Sequence, residues 1–227
     1  MNVWEQFLWV IYPYLVITVF IVGHLYRLNN HPFSWTSKSS EFLEKRVLKW
    51  GSTLFHWGIL FVVIGHVAGL LVPVSVYRAL GVSDEAYHVI ALSAGGIAGL
   101  AALLGALLLM GRRFRVKRVR ATSSVGDLLV IVLLVIILLT GLTATGTNVS
   151  HTGFDYRTTI NPWIRGILTF RPDASLMEKV PVAFKIHILL AFGLFAVWPF
   201  TRLVHVFSLP ITYLSRSYVV YRRHSSR

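Results

Sequence analysis

The chain has 227 residues, of which 55% are hydrophobic and 14% charged, and its mean hydropathy is +0.66, which reads as a membrane chain and not a soluble domain. It has no cysteine, which excludes disulfides, cysteine-ligated iron–sulfur clusters and covalently attached c-type haem. A net charge of +13 would suit a nucleic-acid binder, but the charge is confined to particular loops and points instead to membrane topology.

Crossing the hydrocarbon takes about 20 apolar residues in a helix. Five runs are long enough, at about 4–26, 50–72, 88–110, 126–145 and 182–206. They predict an all-α integral membrane bundle of five transmembrane helices, one domain over residues 1–227, each helix satisfying its own backbone. The first run has no basic region ahead of it and carries Glu5, so it is expected to be a retained span and not a cleaved signal. Trp4, Trp9, Tyr12 and Tyr14 read as an interfacial aromatic belt, and Pro13 predicts a kink.

The loop after it contains SKSSEFLEKRVLKW, residues 37–50, expected as an interfacial helix on anionic lipid or a docking surface for a partner. Helix 3 has small residues at Gly95, Gly96 and Gly99, a helix-packing signature. GRRFRVKRVRAT follows, and helix 4 is almost purely aliphatic beyond Asp127, so it reads as structural wall. The connection 146–181 is long enough to be a functional lid, and its segment TINPWIRGILTF predicts a short amphipathic outer helix.

Alternate loops differ in charge. Lys and Arg number five in 27–49, six in 112–120 and five after 201, against one in 73–87 and four in 146–181. The basic side is cytoplasmic, which puts the N-terminus outside and the C-terminus in the cytoplasm of a multi-pass cell-membrane protein.

The informative residues are four histidines within spans: His56 and His66 on helix 2, His187 and His205 on helix 5. Ionisable groups in a bilayer are costly and usually functional. Because the two helices run in opposite directions, the depths match in pairs: His66 with His187 in the outer layer, His56 with His205 in the inner. Two imidazoles at one depth are the axial ligands a haem iron takes, so the pairs predict two b-type haems. The eighteen-residue gap on helix 5 is five full turns, while the ten-residue gap on helix 2 is about 80° off one face. On straight helices the gaps are roughly 27 Å and 15 Å, so tilt must absorb about 12 Å.

Gly65 and Gly69 flank His66, and Gly58 follows His56, where a flat macrocycle or a second helix would come close. Arg202, Arg118 and Arg120 lie on the inner side and are candidate partners for haem propionates. His24 and His88 stand at helix ends, and His31, His151 and His224 in loops or tail, where solvation accounts for them.

At these residues the sequence resembles the gamma subunit of respiratory nitrate reductase, a di-haem cytochrome b membrane anchor. The stretches that carry the resemblance are IYPY (11–14), LFHWGIL (54–60), GHVAGLLVP (65–73), VRATSSVGDL (119–128) and PFTRLVHVFSLPITYL (199–214), with the histidine spacings. The resemblance implies a distal haem on His66 and His187 and a proximal haem on His56 and His205. It implies oxidation of menaquinol or ubiquinol beside the distal haem, near Gly65 and His66, with electrons passing to an iron–sulfur beta subunit and then a molybdenum alpha subunit. The family often has a basic residue shortly before helix 3 that contacts the quinol; here that position is Ala86. Gly65, His66, Gly69 and His88 are therefore the candidate quinol site, with His88 the substitute hydrogen-bonding group. Alone, the chain lacks the means to reduce a substrate. The alternatives are a related di-haem cytochrome of a sulfite- or heterodisulfide-type reductase, and a haem-free proton transporter.

Overall fold

The computed structural model describes residues 2–31, 34–35, 40–150 and 154–208, the side chains of 148–150 excepted. His151, His224 and the basic tail beyond residue 208 lie outside the described residues. Among the described residues the fold is all-helical, with five helices long and apolar enough to cross a membrane: α1 Val3–Asn30, α2 Arg46–Leu71, α3 Asp84–Arg115, α4 Val125–Thr147 and α5 Val182–Phe200. The extensive pairings run α2 on α3, α3 on α4, α4 on α5 and α5 on α1; α2 and α5, which carry the paired histidines, are not among them.

The α2–α3 seam is the tightest. A Cβ on Gly58 would collide with the backbone of Ala102, and one on Gly105 with the backbone of Phe55. Small residues let backbones approach within lipid, where dispersion between helices replaces the hydrophobic effect. Gly58 is thus a helix contact. On α3, Gly99 meets Leu142 of α4, whereas Gly95 and Gly96 meet nothing within 4 Å, so the packing stripe runs through Gly99, Ala102 and Gly105.

Around Pro13 the helix α1 carries a π-helical turn. Pro13 has no N–H to give the carbonyl four residues back, and the helix relaxes into a π-helical turn at Phe7–Ile11. The carbonyl it frees is that of Trp9, which accepts from the indole N–H of Trp163 at 2.8 Å. Trp163 belongs to the short helix Ile160–Leu168, the predicted amphipathic segment. Far from lying on the surface, this helix buries Ile160, Trp163 and Ile167 against Trp9, Met177 and Val180.

Two expectations are corrected. Residues 40–45 of the loop between α1 and α2 do not form an interfacial helix; Glu41–Leu43 turn and α2 starts at Arg46. The Glu44 carboxylate accepts from the backbone of Val47 (2.8 Å) and Leu48 (3.3 Å), while Arg112, 5% exposed, pairs with Glu44 at 2.7 Å and donates to Ser40. These bonds favour a turn over continued helix. The other correction is α5, which does not run to 206. Its α-helical part ends at Val197; a tight turn through Pro199 follows, then extended backbone at Thr201, then a separate 3-10 segment Arg202–Phe207. Pro199 removes one donor from the ladder, and Arg27 of α1 holds the break that follows, donating to the carbonyls of Pro199 (2.6 Å) and Thr201 (2.9 Å).

Candidate functional site

The histidines meet in the two predicted pairs. The ring centres of His66 and His187 are 6.1 Å apart, and those of His56 and His205 are 6.4 Å apart. An imidazole nitrogen binds a metal at about 2 Å, and the ring centre lies roughly 1.1 Å behind it, so two imidazoles on opposite sides of one iron have centres about 6 Å apart. Both pairs have that separation. Among the described residues no group of three or more His, Cys, Asp or Glu could hold a bare metal ion. A haem iron asks for only two protein ligands, because the porphyrin supplies the rest.

The second nitrogen of each ring is held. Nδ1 of His56 lies 2.7 Å from the Ser52 carbonyl, Nδ1 of His66 2.7 Å from that of Val62, and Nδ1 of His205 2.6 Å from that of Arg202. Nδ1 of His187 lies 3.1 Å from the carbonyl of Ile137, on the neighbouring helix α4. A carbonyl only accepts, so each Nδ1 bears the proton and each Nε2 presents a lone pair, as an axial ligand must.

His205 reaches its partner from the 3-10 segment and not from an α-helix, so the inference of five full turns does not apply. The extended backbone at Thr201 interrupts the helix between His187 and His205, so the separation calculated for one straight helix does not apply to this pair. Helix α4 is more than wall. Thr140 lies 3.3 Å from Nδ1 of His187, and a Cβ on Gly141 would stand 2.9 Å from its Cε1. The sequence signal was the polar, small TG step at 140–141 in an aliphatic run.

At the C-terminal end of α2, beyond His66, the chain makes a π-helical turn, Val67–Leu71. Its carbonyls are taken by side chains: Ala68 accepts from Tyr77 (2.9 Å), Gly69 from Asn161 (2.5 Å) and Leu70 from Arg165 (3.3 Å). Gly65 meets nothing within 4 Å of a would-be Cβ, and Gly69 meets only the Tyr87 hydroxyl, at 3.4 Å. Tyr87 in turn accepts from the Tyr156 hydroxyl (3.4 Å) and lies under the guanidinium of Arg157. Burial pushes the Tyr156 hydroxyl well above the usual tyrosine range, so it stays protonated. Arg157 pairs with Asp155 (2.9 Å) and Asp84 (3.1 Å). His88 is part-buried on α3, beside Tyr87, and no hydrogen bond of its side chain is found among the described residues; Ser83 is the cap of that helix.

At the opposite end of the bundle Arg202 lies 3.8 Å from Asp127, which also pairs with Arg113 at 3.5 Å. Arg118 and Arg120 are exposed on the short helix Lys117–Ala121. His24 donates to the Phe20 carbonyl (2.7 Å) within an aromatic cluster of Phe20, Trp35 and Phe207.

The family model of the nitrate reductase gamma subunit matches residues 5–224. The chain belongs to the nitrate reductase gamma subunit family. It is 57% identical to the nitrate reductase gamma chain of Bacillus subtilis over 97% of its own length and 99% of that chain. It is 35% identical to the respiratory nitrate reductase 1 gamma chain of Escherichia coli, over 98% and 99% of the two. It is also 41% identical to the nitrate reductase-like protein NarX of Mycobacterium tuberculosis, over 96% of this chain and 34% of that one. Gamma subunits associate with other nitrate reductase subunits, and that membership favours nitrate over a sulfite- or heterodisulfide-type complex.

Proposed function

We propose that the chain, as one domain in the cell membrane, oxidises quinol near its outer face and passes the electrons inward to a nitrate reductase. The observation that carries this reading is the pair of ring separations, 6.1 and 6.4 Å, on two layers, with all four Nε2 atoms presented as ligands. His66 and His187 would hold the distal haem b, and His56 and His205 the proximal. When bound, the two haems supply one-electron redox centres stacked across the bilayer. The N-terminus is outside and the C-terminus cytoplasmic, so the inner layer faces the iron–sulfur beta subunit, and beyond it the molybdenum alpha subunit where nitrate is reduced.

The residues of the chain do the rest. Nδ1 protons given to carbonyls fix ring tautomer and orientation. Arg202, Arg118 and Arg120 provide positive charge for haem propionates on the inner side. At the outer end, menaquinol or ubiquinol lies along Gly65, His66 and Gly69. Oxidation releases two protons there; His88 accepts one, and the outer-facing Asp84–Arg157–Asp155 cluster lies beside the route to water.

The test is spectroscopic and kinetic. The purified protein should show a Soret band and close to two haem b per chain by pyridine haemochrome, both reduced by added quinol. Absence of haem would return the proton-transporter reading. Reduction by quinol that survives blocking of the outer face would overturn the outer site.

A further inference from the structure

Asn161 is an orphan of an uncommon kind. It is 1% exposed, and its Nδ2 donates to the Gly69 carbonyl at 2.5 Å. Because a carbonyl can only accept, the amide must face Gly69 with its nitrogen, and the other end is the acceptor oxygen Oδ1. That oxygen is buried and has no donor. The other buried side-chain atoms without partners, His24 Nε2 and the indole nitrogens of Trp35 and Trp198, belong to residues that are only part-buried. A buried acceptor with no donor is costly and calls for an explanation.

Its surroundings give one. Gly69 lies three residues past the ligand His66, and one turn earlier Gly65 meets nothing within 4 Å. The Gly65–Gly69 face is therefore open, bounded by the Tyr87 hydroxyl at 3.4 Å from the Gly69 Cβ position, with the Asn161 amide at its carbonyl.

We propose that Asn161 is a specificity-determining residue for the reduced form of the quinone, its Oδ1 accepting a hydrogen bond from a quinol hydroxyl lodged along Gly65–Gly69. This rests on the outer quinol site. A quinol carries two O–H donors. Its oxidation gives two electrons to the haems and two protons to water, and leaves a quinone with two carbonyl acceptors. The contact at Oδ1 thus turns from a hydrogen bond into an encounter of lone pairs. The contact favours the substrate over the product. Nothing at Oδ1 reads the ring substituents, so this residue discriminates oxidation state and not menaquinol from ubiquinol.

The test uses the full-length haem-loaded protein in detergent, with the haems kept reduced by dithionite so that no electron transfer occurs. Two probes are titrated calorimetrically: 1,4-naphthohydroquinone, and its dimethyl ether, which keeps the ring and lacks the O–H. Asn161→Leu should weaken hydroquinone binding about tenfold and leave the ether unchanged, with both haem spectra intact. Asn161→Asp, which keeps an acceptor oxygen, should retain the preference. If the Leu variant does not assemble, Asn161→Ala carries the same expectation. Equal weakening of both probes would reduce Asn161 to a clamp on Gly69 and overturn the proposal, as would unchanged hydroquinone binding. Wild-type protein that binds neither probe would instead overturn the outer quinol site, and this proposal with it.

Discussion

The imidazole of His187 on α5 packs directly on Gly141 of α4, with Cε1 2.9 Å from the position a Cβ would take. Even Gly141→Ala must push the ring, and Gly141→Val cannot be accommodated without displacing it. Gly141→Ala should keep two haems and shift the potential of the outer one, read by redox titration. Gly141→Val should bring the haem ratio near one per chain with the outer spectrum missing. Two unperturbed haems in the valine variant would contradict the role of Gly141 in placing the His187 ring.

Layer assignment predicts the outcome of single ligand changes. His66→Ala and His187→Ala should lose one and the same haem, and His56→Ala and His205→Ala the other. Low-temperature difference spectra separate the two. Matching spectra for the His66 and His205 variants would show that the pairing is wrong.

Arg27 holds the break that places His205, through its bonds to the carbonyls of Pro199 and Thr201. Arg27→Met removes both of these bonds, at a cost of about 2 kcal/mol. In a thermal ramp followed at the haem bands, the variant should lose the inner haem at lower temperature than the outer. Simultaneous loss at the wild-type temperature would dissociate Arg27 from His205.

Glu44 gives a pH dependence. Backbone donation from Val47, helped by Arg112, holds its carboxyl below the usual carboxylate range. A depressed folded pKa means that the ionised carboxylate stabilises the fold above the unfolded value of about 4.3, and that this contribution fades as pH falls through the lower folded value. Glu44→Gln should therefore melt below wild type at pH 7, with the gap closing below about pH 4. A gap that grows toward acid would reverse the sign and refute the assignment.

The sequence by itself determined the class, the five spans and the identity of the paired histidines. Hydrophobic length has one solution in lipid, and antiparallel helices convert residue number into depth. It also marked Pro13, because a missing N–H is a local fact. What only the tertiary structure decided were partners distant in the chain. The Trp9 carbonyl freed by Pro13 finds Trp163, the break after Pro199 is held by Arg27, and the second shell of His187 comes from a helix that looks featureless in sequence. The same holds for Asn161, an ordinary loop residue by composition, buried by 99 of every 100 parts of its surface only because Ile160–Leu168 folds down onto the end of α2. Periodicity records which face of a helix avoids water, and carries no signal for which carbonyl that face will meet.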